Sequence, residues 1–172
     1  MNSAIDNLKS EIELTFTLEF KDMSDNIITR DYVSEDYPQL IKLWKDTGIG
    51  NPERGDNEKV IRNCLRIGGK LMVMFDKEAD LLIGSCWMTF DGRRMHLHHF
   101  AIRPEYQGKK LGSRLGDEAI EYLRKAGYQV KLEVNKDNLI AKKLYKKLGF
   151  FAYTNYDIFM IRNIQGNSWQ DN

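Results

Sequence analysis

Between Arg94 and Gly127 the chain changes its hydrophobic period once, and that change limits what it can fold into. The stretch R-M-H-L-H-H-F-A-I reads as an extended strand. A short loop follows, and then Leu111, Leu115, Ala119, Tyr122, Leu123 and Ala126 recur at helical spacing until Gly127 supplies a stop. A strand delivered into a long amphipathic helix through a glycine turn must bury one face of each. The extended stretch Tyr128 to Val134 comes directly after, which makes a β–α–β unit.

Upstream, the pattern is that of a meander. Asn26 to Asp31, Lys70 to Phe75 and Leu81 to Phe90 are strand candidates, and Asp91-Gly92 is a hairpin signal leading into Arg94 to Ile102. Two helices precede the meander's main part. Ser34 is placed to cap the first, whose apolar face is Tyr37, Leu40, Ile41 and Trp44, with Pro38 in its first turn and Gly48 at its end. The second follows Asp56, carries Val60, Ile61, Cys64 and Leu65 on one side, and stops at Gly68-Gly69. Downstream, a helix over Asn138 to Leu148 closes at Gly149, and a last strand pair is expected near Phe150 to Ile161. Residues 1–25 read as an N-terminal extension. Its stretch Glu11 to Phe20 alternates cleanly and is expected to join the sheet or a partner subunit in a homodimer. The main domain is set at 26–163 and a loose tail at 164–172. The fold class is α/β, with a mixed, largely antiparallel central sheet flanked by helices on both faces.

Composition narrows the function by exclusion. The 172 residues carry a formal net charge of +1, so no global field favours nucleic acid or a membrane surface as partner. Apolar runs fall far short of a membrane span, and the first residues lack the basic start and apolar core of a signal peptide. Cys64 and Cys86 stand in no metal-ligand spacing and read as free thiols, so the expected location is the cytoplasm and no metal is expected.

The loop F-A-I-R-P-E-Y-Q-G-K-K-L-G-S-R ends a strand and opens a helix with glycines and local positive charge. Unpaired amides at a helix start and backbone left open by glycine suit an anion, although a solvated basic first turn would look the same. Neither G-x-x-x-x-G-K-[ST] nor G-x-G-x-x-G is present, and Gly116 reads as a close-packing position on the helix. The segment from Gln107 to Gly112 resembles the first motif of the GNAT superfamily of N-acetyltransferases, Q/R-x-x-G-x-G/A, with Lys110 where the first glycine would stand. That resemblance implies acetyl-coenzyme A as cofactor. Backbone of Gln107, Gly108, Lys109, Lys110, Leu111, Gly112 and Ser113 would hold its pyrophosphate, and the strand end Phe100, Ala101 and Ile102 would lie along its pantetheine arm. A right-handed backbone at Lys110 would keep that residue's N–H available.

The segment V-N-K-D-N-L-I-A-K-K-L-Y-K-K-L-G-F resembles the following GNAT segment at Asn135, Asn138, Ala141, Leu144, Tyr145, Gly149 and Phe150. Tyr145 lies two turns into a helix that starts near Asn138, and a phenol is a donor suited to a departing thiolate. The resemblance implies a general-acid role for Tyr145 and a contact from Asn138 to the pantetheine arm. A packing tyrosine and a helix N-cap are the plainer readings of the same residues.

All three histidines fall in one strand. Strict alternation would put His96 and His98 on one face with Phe100 and Ile102, and His99 on the other. An amine nucleophile must lose a proton, and imidazole suits that task near neutral pH. The H-x-H pair resembles the arrangement in arylalkylamine N-acetyltransferases, which implies His96 or His98 as base. Polar groups lining a strand above a pocket would give the same pattern. The reading is an acetyl-CoA-dependent N-acetyltransferase in which a primary amine attacks the thioester directly. The strands would splay between Ile102 and Asn135, and the helices from Ser34 to Gly69 would shape the acceptor site. A silent coenzyme A-sensing or partner-binding module and a protein N-terminal or lysine acetyltransferase are the alternatives.

Overall fold

A computed structural model describes residues 26–50 and 55–161 of the chain. The strand expected over Glu11 to Phe20 and the tail at 164–172 lie outside the described residues. Five strands and four α-helices follow one another in the order β1 (Ile27–Asp31), α1 (Tyr37–Asp46), α2 (Glu58–Arg66), β2 (Lys70–Asp76), β3 (Leu81–Phe90), β4 (Arg94–Ile102), α3 (Leu111–Ala126), β5 (Gln129–Leu132) and α4 (Leu139–Lys147). The sheet keeps that sequence order, β1-β2-β3-β4-β5. The first three pairings are antiparallel, and β4 with β5 is parallel, as a crossover helix requires.

Period-two alternation distributes the apolar side chains of the sheet between two cores. Met72, Met74, Met88, Met95 and Leu97 pack with Leu111, Leu115, Ala119 and Leu123 of α3. That four-residue spacing keeps one stripe of the helix on the sheet. Leu71, Val73, Leu82 and Trp87 point the other way and meet Leu40, Leu43 and Trp44 of α1 and Ile61 and Cys64 of α2. The helix α4 sits beside α3 through Gly116, where an added Cβ would stand 2.6 Å from Leu148 Cδ1. Close packing is therefore what this glycine provides.

Two local expectations are corrected. Ser34 does not cap α1. It opens a short 3-10 turn, Ser34–Asp36, whose cap position is Val33. Asp36 displaces it because its carboxylate accepts the Val33 N–H at 2.9 Å while gripping Arg30 at 2.6 and 2.8 Å. The strand pair near Phe150 to Ile161 does not form. This segment makes no ladder and leaves Phe151, Tyr153, Tyr156, Ile158 and Phe159 exposed. Its alternation has strand potential, but β5, the last strand of the sheet, is only four residues long. Cys64 and Cys86 are free and buried, and burial pushes the Cys86 thiol up to about 12. Neither is a nucleophile at neutral pH.

Candidate active site

β4 carries a bulge at its centre. Trp87 pairs with His98 and Ser85 with Ala101, so Cys86 opposes two residues instead of one. His99 takes the extra turn with a left-handed backbone, φ 47°. The fully buried Ser85 holds it there, donating from Oγ to the His99 carbonyl at 2.9 Å and accepting from Trp44 Nε1 at 2.9 Å.

The bulge inverts the strand's phase, which corrects the alternation expected for the histidines. Met95 and Leu97 belong to the α3 core ahead of it, and Phe100 and Ile102 belong to that core after it. His96 and His98 therefore do not share a face with Phe100 and Ile102. They lie on the α1–α2 side, where His98 packs on Trp87 at 4.6 Å between ring centroids. His99 comes to the same side and rests on Trp44 at 4.3 Å. Its Nδ1 stands 2.7 Å from Nδ1 of His98, and its Nε2 stands 3.1 Å from Oδ2 of Asp56. His96, nearer the start of β4, has Glu133 at 3.9 Å. Burial is the main cause that lowers the pKa of all three, and for His98, with its imidazole neighbours adding to it, the value falls to about 3. The imidazoles are thus neutral at neutral pH, the form in which a base must start.

β4 also outruns its neighbour. Its pairing with β5 ends at Leu97 with Leu132, while β4 continues to Ile102. From His98 to Ile102 that edge faces no strand among the described residues. The splay expected between Ile102 and Asn135 would begin where this pairing ends.

Beyond Ile102 the chain is fastened down before it turns into α3. Arg103 is buried, donating from Nε to the Leu82 carbonyl at 2.7 Å and from Nη1 to Asp46 at 3.0 Å. Tyr106 donates to Asp76 at 2.8 Å, and the Gln107 side chain donates to the Ile102 carbonyl at 2.9 Å. Gly108 then adopts φ 76°. Lys110 follows with φ 59° and ψ 3°, so its backbone is left-handed rather than right-handed. It adopts the conformation that a glycine at this position would take without strain. No side chain caps α3, so its first amides are left for another partner. At Gly112 an added Cβ would have only ordinary contacts, the nearest being Ile102 at 3.7 Å.

In α4, Asn138 is the N-cap, accepting the Ala141 N–H at 3.0 Å. Asn135 caps the preceding turn at the Asp137 N–H, 2.8 Å away. Tyr145 lies edge-on to Phe100 and Phe150, at 6.2 and 5.7 Å between centroids. Its hydroxyl makes no hydrogen bond to a described residue, and burial pushes the phenol up to about 12. The structure therefore brings Tyr145, Phe100, Ile102 and Gly112 to one side of the open β4 edge and the histidines to the other.

With this geometry the comparisons are specific. Residues 32–150 match the acetyltransferase (GNAT) family. The chain belongs to the GNAT acetyltransferase family. Over 71 residues, 40% of this chain, it is 38% identical to a provisionally named ribosomal protein bS18-alanine N-acetyltransferase of Bacillus subtilis (strain 168). The chain spans about half the length of that relative, 46%. The fold is shared with the ribosomal-protein-S18-alanine N-acetyltransferase of Escherichia coli, at a TM-score of 0.64 and 21% identity over 74% of this chain and 79% of that one. It is shared too with a predicted acetyltransferase of Clostridium acetobutylicum solved with acetyl-CoA, at a TM-score of 0.63 and 16% identity over 78% and 96% of the two chains.

Ser85, Trp87, Arg103 and Asp56 are site residues that the sequence reading passes over. Ser85 had a signal, a lone hydroxyl inside the apolar run L-L-I-G-S-C-W-M. Asp56 had none, because an acidic residue ahead of a helix is ordinary.

Proposed function

We propose that this GNAT chain transfers the acetyl group of acetyl-CoA to a primary amine by direct attack. The observation that carries the reading is the unpaired edge of β4, with a hydroxyl donor on one side and neutral imidazoles on the other. The residues around it fit a phosphate-bearing thioester: an α3 start that its N-cap side chain does not cap, with local lysines, and backbone at Gly112 that carries no side chain. Amides from Gln107 to Ser113 would hold the pyrophosphate, and the edge at Phe100, Ala101 and Ile102 would lie along the pantetheine arm, with Asn138 beside it. Acetyl-CoA supplies an acyl carbon already activated as a thioester.

The chain's own contribution is then to position and to move protons. The amine nitrogen bonds to the acyl carbon, the carbon–sulfur bond breaks, and one proton passes from nitrogen to an imidazole, His98 or His96. Tyr145 would face the sulfur. A phenol near 12 gives its proton uphill to a thiolate whose thiol has a pKa of ~8.5, so its first effect is a hydrogen bond to the developing charge. Complete transfer leaves free thiol, and the imidazole's proton restores the balance.

The acceptors named for relatives include an alanine of ribosomal protein bS18 and the small amines L-methionine sulfoximine and L-methionine sulfone, so an alanine-initiated peptide and small amines are both acceptors to try. Release of free thiol from acetyl-CoA over such a panel tests the reading. Amine-dependent release at a saturable rate is expected. Tight acetyl-CoA binding with no release above the uncatalysed rate for any amine would favour a silent cofactor-sensing module instead.

A further inference from the structure

The chain of contacts Asp56–His99–His98 fixes where protons sit. Between two imidazole nitrogens 2.7 Å apart one must carry hydrogen and the other must accept it. Nε2 of His99 is buried and makes no in-line hydrogen bond, and the Asp56 carboxylate 3.1 Å away is its acid neighbour. A carboxylate at that distance favours hydrogen on that nitrogen. Neutral His99 then has a bare Nδ1, so His98 must carry its hydrogen on Nδ1. What remains on His98 is Nε2 with a free lone pair, and this atom has no hydrogen-bond partner among the described residues.

We propose that Asp56 is a positioning residue which, acting through His99, holds His98 in the Nδ1–H tautomer so that its Nε2 accepts the proton of the acceptor amine. The inference rests on the acetyltransferase reading above and assigns the base within it. When His98 takes the proton at Nε2, its Nδ1–H can shift to Nδ1 of His99, and the positive charge then lies beside the Asp56 carboxylate. No atom is gained or lost other than the substrate proton. The logic is that of an acid that orients an imidazole for a nucleophile, with a second imidazole interposed.

The surroundings leave the pair few other partners. Trp44 of α1 and Trp87 of β3 flank the rings with apolar faces. From α2, Cys64 is occupied as the acceptor of Trp87 Nε1 at 3.2 Å. His96 lies 5.5 Å from His98 between centroids and 3.9 Å from Glu133, which Lys131 of β5 approaches to 3.8 Å. The bulge is what makes the His98–His99 contact possible, since adjacent residues of a regular strand point to opposite faces.

The test is imidazole nitrogen NMR on histidine-labelled protein, with kinetics on Asp56→Asn and Asp56→Glu. The wild type should show His98 as Nδ1–H and His99 as Nε2–H. An amide at position 56 can donate to His99 Nε2, which would reverse both tautomers. Asp56→Asn should lower kcat ~10- to 100-fold with KM little changed, and Asp56→Glu should recover part of the loss. His98 found as Nε2–H in the wild type would overturn the proposal. Full kcat in Asp56→Asn with reversed tautomers would overturn it as well, while leaving the acetyltransferase reading intact. The expected tautomers with no acetyl transfer to any amine would contradict that reading, and the base role would fall with it.

Discussion

Toward α3 and α4, β4 offers Phe100 and Ile102 to an apolar core into which α4 brings the Tyr145 ring. Toward α1 and α2 it offers imidazoles laid on tryptophans, with Ser85 and Asp56 behind them. A regular strand would carry one character along each face. Here the bulge exchanges the faces midway, so His98 and His99 become neighbours on one side while Phe100 turns to the other. The two sides meet only where β5 has stopped pairing. The difference teaches that one extra residue in a strand can set an aromatic hydroxyl and a pair of imidazoles on opposite faces without a second loop.

Removing the donor from the apolar side should have the largest effect. Tyr145→Phe keeps the ring between Phe100 and Phe150, so the fold should survive. Loss of the hydroxyl should slow single-turnover transfer ~100-fold or more while the acetyl-CoA Kd stays close to wild type. An unchanged single-turnover rate would make Tyr145 a packing residue and leave water as the donor.

The polar side should break at Ser85. Ser85→Ala strands two buried groups, the Trp44 N–H and the His99 carbonyl, and should cost about 1–3 kcal/mol in urea unfolding. Wild-type stability in that variant would show that the bulge holds itself.

The two sides also separate by pH. His98 is held at about 3 in the fold, against ~6.5 in an unfolded chain. Between those values the unfolded chain binds a proton there and the folded chain does not, so stability falls as pH is lowered through that window. The slope from this group is at most ~1.4 kcal/mol per pH unit. Subtracting the His98→Gln curve from wild type should isolate it, and two parallel acid branches would mean that the imidazole is solvated.

How much of this was legible in the sequence follows from what each residue depends on. The α3 turn and the segment from Asn135 to Phe150 are local: glycine placement, a helix cap and a four-residue stripe are set by near neighbours. So are the β4–α3–β5 unit and the glycine at position 116, both read correctly before the structure. The histidine faces were read wrongly because strict alternation assumes an unbroken ladder, and the residue at the bulge, His99, is bonded by Ser85 from another strand. The backbone of Lys110 was left open by the sequence, and the structure makes it left-handed. Asp56 became a candidate only when folding brought it to His99, across a separation in sequence that no local pattern records.

The central claim is that a phosphate-bearing thioester is seated by the start of α3 and passes along the open edge of β4. Calorimetric titration of acetyl-CoA into wild type and Gly112→Glu tests it most directly. An added Cβ at Gly112 has only ordinary contacts, the nearest at 3.7 Å, so the variant should fold. The glutamate would set a negative charge at the start of α3, against the phosphates. The account predicts clear binding by the wild type and a loss of at least ~10-fold in affinity for a folded variant. Equal affinity in the two proteins would contradict it.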